Sequence, residues 1–168
     1  MVKMKGIILH GGHGTRLRPL THTGPKQLLP IANKPMSQYC IESLQEAGIT
    51  EIVVIIGGIG ADKVKEYYGT GERFGVNLTY IDQDQPRGIA HAINLGKKFV
   101  GNNKFVVFLG DNIIQRSISE FVKDFGQSTA KASILLCVVD NPCRFCIAEL
   151  KDCKIKKIME KPMNPPSN

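Results

Sequence analysis

The chain has no tryptophan, and aromatic residues make up only 7% of its 168 residues. There is no carboxylate before Glu42 and no apolar run near the roughly 18 residues that a membrane-spanning helix needs. Each shortage excludes something. Without long apolar runs the chain is expected to be soluble, with no membrane partner. Lys3 and Lys5 precede only Gly6-Ile7-Ile8-Leu9, too little for a signal peptide, so a cytoplasmic location is the default. Five cysteines is an odd number for a disulfide framework. Cys143 to Cys146, CRFC, is a single CxxC lacking the second well-spaced pair of a structural zinc site, which leaves buried or incidental thiols.

What the chain does have is positive charge, unevenly placed. Lys and Arg number 22 against 15 Asp and Glu, a net charge of +7. Lys3, Lys5, Arg16, Arg18, Lys26 and Lys34 all precede the first acid, so that end should attract an anion. Nucleic-acid modules usually add aromatic stacking residues. Here only Tyr39 is on offer, so a small phosphorylated ligand fits better than nucleic acid.

Hydrophobic residues at 42% and charged residues at 22% are ordinary globular values, and the length suits one domain spanning residues 1–168. Apolar runs rich in β-branched residues at 5–9, 52–56, 78–81, 105–109 and 133–139 predict strands. Between them, 36–47, 61–68, 89–100 and 118–125 have helical spacing, and Gly48 is placed to stop the first helix. Strands buried on both faces and alternating with helices predict an α/β fold, three-layer α/β/α and Rossmann-like, with a mostly parallel sheet. Residues 144–150 and 154–159 predict a hairpin instead.

The most distinctive stretch follows the first predicted strand. Gly11-Gly12-His13-Gly14 lies at the sheet's carboxyl edge, where glycines can take positive φ and turn backbone N–H groups toward an anion. It is not a Walker loop, and Leu17 stands where a dinucleotide fingerprint has its third glycine. Arg16 and Lys26 could grip phosphate as a fork and a point charge, a combination suited to a triphosphate; a solvated basic loop is the alternative. Asp111 follows strand 105–109 after one glycine and could bind Mg²⁺ or simply shape a turn. Gln83 can donate and accept at a base edge, and Gly88 leaves its backbone free to approach one.

Together these residues carry a resemblance. Gly11-Gly12-His13-Gly14-Thr15-Arg16-Leu17-Arg18-Pro19-Leu20-Thr21, then Pro25-Lys26-Gln27-Leu28-Leu29-Pro30 and Lys34-Pro35, is similar to the signature of the sugar-1-phosphate nucleotidyltransferases, nearest their thymidylyltransferase branch. Residues 83–92, QDQPRGIAHA, resemble the base-recognition segment. Leu109-Gly110-Asp111-Asn112 resembles the metal-binding strand end, and Glu160-Lys161-Pro162 the sugar-phosphate motif.

The resemblance implies an enzyme of the nucleotide-diphospho-sugar transferase fold, moving a nucleotidyl group from dTTP or UTP to glucose-1-phosphate. It implies Arg16 and Lys26 as catalytic residues, with Leu9, Gly11, Gly12, Gly14, Thr15, Arg16, Gln83 and Gly88 around the nucleotide. Asp111 would hold Mg²⁺, and Glu160, Lys161 and Cys146 the sugar phosphate. His10 stands where the family usually has alanine, Cys146 where it has glycine, and the family's pattern continues well beyond Glu-Lys-Pro, so the fold is expected to be truncated at the C-terminus. A nucleotide-binding chain without turnover, or a subunit of a larger assembly, is the alternative. Homo-oligomers are expected from the open sheet edge.

Overall fold

The computed structural model describes residues 4–12, 14, 17–22 and 24–166. The chain divides into two compact units, Met1–Thr129 and Ala130–Asn168.

The first unit is built on four parallel strands: β1 (Lys5–His10), β4 (Glu51–Ile56), β5 (Asn77–Asp82) and β6 (Phe105–Leu109). Their order is β5-β4-β1-β6. A two-residue ribbon, β2 (Pro30–Ile31) and β3 (Lys34–Pro35), stands apart from that sheet. The helices are α1 (Met36–Glu46), α2 (Ala61–Tyr68), α3 (Ile89–Leu95), α4 (Lys97–Val100) and α5 (Ser119–Gln127).

Strand side chains alternate between faces, and each face of this sheet has its own core. Ile8, Ile52, Val54 and Ile56 pack with Cys40, Ile41 and Leu44 of α1, Val64 and Tyr68 of α2, and Val122 of α5. On the opposite face, Ile7, Leu9, Val53 and Ile55 pack with Ala92 of α3 and Val100 of α4. Each fully buried Ile or Val is worth about 1.5–3 kcal/mol of transfer free energy. Burial on both faces is why the central strands β1 and β4 read as continuous apolar runs, whereas β5 and β6 at the sheet's edges are partly exposed; helices packed on both faces give the three layers expected.

Helix α1 ends as its glycine predicts. Gly48 has φ 76° and its N–H donates to the Gln45 carbonyl, while the Ile49 N–H donates to Leu44, both at 2.9 Å. This is a Schellman closure, sealed by buried Ile49. The single helix expected over 89–100 is interrupted at Gly96, giving α3 and α4. Gly96 lies against the sheet, with Ile7 Cδ1 3.1 Å from where a Cβ would stand.

The expectation of a strand over 133–139 is corrected. Those residues form no strand, and Ile134, Leu135, Leu136 and Val138 are exposed. An apolar β-branched run becomes a strand only where a neighbour takes its N–H and C=O groups, and no ladder among the described residues includes it.

The second unit contains the expected hairpin: β7 (Cys146–Lys151) pairs antiparallel with β8 (Lys154–Glu160). Its turn residues, Asp152 and Cys153, have φ 51° and 58°, the left-handed geometry of a tight two-residue turn.

Candidate nucleotide site

Sheet growth reverses at β1, with β4 and β5 added on one side and β6 on the other. In an open parallel sheet the carboxyl ends of the strands flanking such a reversal bound a crevice for ligands. Here β1 runs into Gly11-Gly12 and β6 into Gly110-Asp111. The Lys26 ammonium reaches this point and donates to the Asp111 carboxylate, with the two side chains 20% and 38% exposed.

Lys26 is held there by its neighbour. Residues Lys26–Leu28 form a 3₁₀ turn, and Gln27 points inward, 1% exposed. Gln27 Nε2 donates to the His10 carbonyl at 2.8 Å. The Gln27 carbonyl accepts from Ser37 Oγ at 3.1 Å, and Ser37 Oγ lies 2.8 Å from Tyr68 Oη. The Lys26 segment is therefore tied to the end of β1, to α1 and to α2.

The glycines line the same crevice. Gly12, at φ 105°, has open space where a Cβ would stand. Gly14, at φ 61°, packs against Thr21 and Lys26, and its carbonyl accepts from Thr21 Oγ1 at 2.8 Å. On the opposite side, the Gln83 N–H extends β5 by donating to Ile56 at 2.7 Å. Its Oε1 comes within 3.1 Å of where a Gly11 Cβ would be, and its Nε2 sits 3.2 Å from His91 Nδ1. Gly88, at φ 92°, opens α3 with nothing within 4 Å of its missing Cβ.

Beneath the Lys26–Asp111 pair the floor is uncharged. His10 is 3% exposed, and neither ring nitrogen has a hydrogen-bond partner. Burial holds its pKa down to about 3, with nearby Asp111 opposing that shift and Lys26 adding to it. Cys40 donates its thiol to the Leu109 and Asn112 carbonyls at 3.4 and 3.3 Å, and burial pushes its pKa up to about 12. Neither group offers a countercharge to Asp111, which among the described residues is paired with Lys26.

The structure thus brings together Gly11, Gly12, Gly14, Lys26, Gln83 and Asp111 from the sequence-predicted set. Leu9 lies under α3 and α4 with its side chain in the core, and its carbonyl accepts the Gly110 N–H at 2.9 Å. Thr15 and Arg16 lie outside the described residues. In the second unit, Cys146 and Glu160 are cross-strand partners in the hairpin. The Lys161 N–H donates to Phe145 at 3.0 Å, so all three expected sugar-phosphate residues cluster at one end of that hairpin, exposed.

Sequence reasoning missed Gln27, Ser37 and Thr21 as supports. A lone amide between Lys26 and Leu28-Leu29 was the available signal for Gln27, since a polar side chain flanked by apolar ones often pairs with backbone.

The chain is similar to known proteins along nearly all of its length. The family model described as nucleotidyl transferase matches residues 5–168. The low-salt glycan biosynthesis nucleotidyltransferase Agl11 of Haloferax volcanii is 48% identical over 98% of this chain and 46% of its own length. A glucose-1-phosphate thymidylyltransferase of Streptomyces griseus is 39% identical over 98% and 46%. This chain spans about half the length of these relatives. Among solved structures, one described as a glucose-1-phosphate thymidylyltransferase from Bacillus anthracis superposes with a TM-score of 0.93 at 43% identity, covering 98% of this chain and 67% of that one. A UDP-glucose pyrophosphorylase holding UDP-glucose superposes with a TM-score of 0.79 at 25% identity, covering 100% and 73%. The matched family model, these identities and the shared parallel-sheet architecture establish that the chain belongs to the sugar-1-phosphate nucleotidyltransferase family.

Proposed function

We propose that the crevice at the ends of β1 and β6 binds a nucleoside triphosphate, and that the chain transfers the nucleotidyl group to a sugar-1-phosphate. The observation that carries this reading is the meeting of Lys26 and Asp111 beside Gly11, Gly12 and Gly14 at the point where the sheet reverses. One charge suits phosphate and the other suits a cation, and the glycines leave room for a ligand to approach the main chain.

In the reaction a phosphate oxygen of the sugar-1-phosphate bonds to the α-phosphorus. The bond from that phosphorus to the oxygen bridging to the β-phosphate breaks, and pyrophosphate leaves with the electron pair. Lys26, with Arg16, meets the charge of the triphosphate and of the departing pyrophosphate. Gln83 faces the base, with Gly88 beside it. Glu160, Lys161 and Cys146 are the residues for the sugar phosphate. No covalent intermediate on the protein is needed, since alignment and charge neutralisation supply the catalysis.

Asp111 fits Mg²⁺, which typically takes one or two carboxylates and completes its shell with phosphate oxygens and water. When bound, the ion would neutralise phosphate charge that Lys26 cannot meet alone. The base is thymine or uracil: the thymidylyltransferase relatives favour dTTP, and the pyrophosphorylase neighbour holding UDP-glucose keeps UTP in play. Glucose-1-phosphate is the acceptor those names favour. These substrates suit a cytoplasmic protein. Self-association belongs to the same reading, because β6 is an edge strand with Phe105 and Val107 38% and 36% exposed.

The test is pyrophosphate release by the purified chain with Mg²⁺, dTTP or UTP, and glucose-1-phosphate, alongside calorimetric binding of each triphosphate. Release above background supports transfer. Binding without release leaves a nucleotide-binding chain, and binding of neither triphosphate removes the site. Light scattering reports the association state, and a monomer would remove the β6 edge as an interface.

A further inference from the structure

The two charged groups of the crevice come from chain segments 85 residues apart, and both segments rest on one residue. On one side, the His10 carbonyl accepts the Gln27 amide at 2.8 Å and so anchors the turn that carries Lys26. On the other, the imidazole lies against Gly110, the residue before Asp111. A Cβ at position 110 would overlap the ring, with Nε2 at 2.9 Å and the Leu9 carbonyl at 3.0 Å.

The ring is an expensive choice if its task is only to fill space. Both nitrogens are buried without partners, which is destabilising, whereas an apolar side chain would carry no such penalty. What distinguishes His10 is its position. It is the last residue of β1, wedged between the backbone leading to Asp111 and the turn leading from Lys26. Burial also keeps the ring uncharged, so it does not compete with Lys26 for the Asp111 carboxylate.

We propose that His10 is a positioning residue, the shared support whose ring under Gly110 and carbonyl on Gln27 set the spacing between Asp111 and Lys26. It does not touch substrate, and it acts through those two residues. The inference rests on the use of Lys26 and Asp111 proposed above, but the contact between them can be read without any ligand.

The experiment uses the full chain and four variants: His10→Ala, His10→Phe, Gly110→Ala and the double variant His10→Ala/Gly110→Ala. Three readouts are taken. The ¹⁵N resonance of the Lys26 ammonium reports its contact with Asp111. Mn²⁺ binding, followed by electron paramagnetic resonance, reports Asp111. Calorimetry with inorganic pyrophosphate in the absence of metal reports Lys26.

His10→Ala is expected to change the Lys26 resonance and to weaken both probes by a few-fold, because the loss of about tenfold when a binding group drifts by a fraction of an ångström outweighs the gain of up to roughly fivefold from loosening the ion pair. His10→Phe, which keeps the ring and lacks the nitrogens, is expected to restore wild-type behaviour. Gly110→Ala should disturb the site from the other side, and the double variant should recover because the new methyl occupies space the ring has left. A merely structural role would lower stability without that recovery.

Wild-type resonance and affinity in His10→Ala would overturn the proposal, as would losses in His10→Phe equal to those in His10→Ala. If His10→Ala does not fold, His10→Phe and Gly110→Ala decide alone: a wild-type first and a weakened second support the proposal, and any other pair overturns it. If the wild-type chain binds neither probe, the proposed nucleotide site fails while the Lys26 resonance still decides whether His10 positions the pair.

Discussion

Lys26 and Asp111 neutralise one another across the crevice, so neither is free for a ligand until the other is released. The pair is partly exposed, and such pairs contribute about 1 kcal/mol or less. That is small enough for a ligand to displace. It also fixes the sign of two substitutions. Asp111→Asn frees Lys26 and should strengthen binding of inorganic pyrophosphate in chelator by up to roughly fivefold, the equivalent of that energy. Lys26→Ala should weaken the same binding by about tenfold at low salt, with the difference shrinking as salt is raised. Calorimetry at two ionic strengths checks both. Unchanged affinity in Lys26→Ala would remove Lys26 from the site.

The role proposed for Gln83 separates recognition of the base from recognition of the phosphates. Its side chain lies between Gly11 and His91, at the end of β5, whereas the Lys26 ammonium pairs with Asp111 at the end of β6. Gln83→Ala should therefore weaken dTTP or UTP by about 1 kcal/mol, roughly fivefold, the worth of one hydrogen bond. Inorganic triphosphate should bind as before. Equal losses for nucleotide and inorganic ligand would show that Gln83 supports the loop and does not read the base.

Much of this architecture is legible in the sequence because its central strands, β1 and β4, are buried on both faces. The β-branched composition and short length of β4, Glu51–Ile56, between flanking turn residues favour a strand over a helix. The charged residues were legible for a related reason: each follows a turn former, Lys26 after Pro25 at the start of a 3₁₀ turn and Asp111 after Gly110 at the end of β6. What escaped was long-range support. Residues 133–139 have strand composition, but a strand exists only with a neighbour, and composition does not say whether one is present. His10 reads as a polar residue beside the nucleotide. Only the packed structure shows its ring buried beneath Gly110, because that contact joins residues a hundred positions apart. Ser37 and Gln27 are likewise ten residues apart and meet only through the turn between them.

Ser37 makes a stability prediction. Fully buried, its hydroxyl donates to the Gln27 carbonyl and contacts Tyr68 Oη at 2.8 Å. Ser37→Ala leaves both partners short of a hydrogen bond, at a cost of about 1–3 kcal/mol. Urea unfolding should show the loss with an unchanged denaturant slope, and triphosphate affinity should fall as the Lys26 turn loosens. Wild-type stability would mean that the Tyr68 hydroxyl finds another partner.

His10 makes the stability of the chain depend on pH. Its imidazole is held at a pKa of about 3 in the folded chain, mainly by burial, against 6.5 for the unperturbed side chain. Above pH 6.5 the ring is neutral in both states and contributes no pH dependence. Below it, the unfolded chain takes up a proton that the folded chain refuses, so stability falls with acidity until about pH 3, where the folded ring also protonates. By pH 5 this amounts to about 2 kcal/mol, before most carboxylates begin to titrate. His10→Phe has nothing to protonate at that position and should lose this part of the slope. Urea unfolding of both proteins at pH 7.5 and pH 5 measures the difference directly. If the two lose stability equally between those pH values, the imidazole is solvated in the folded chain and its burial beneath Gly110 is wrong.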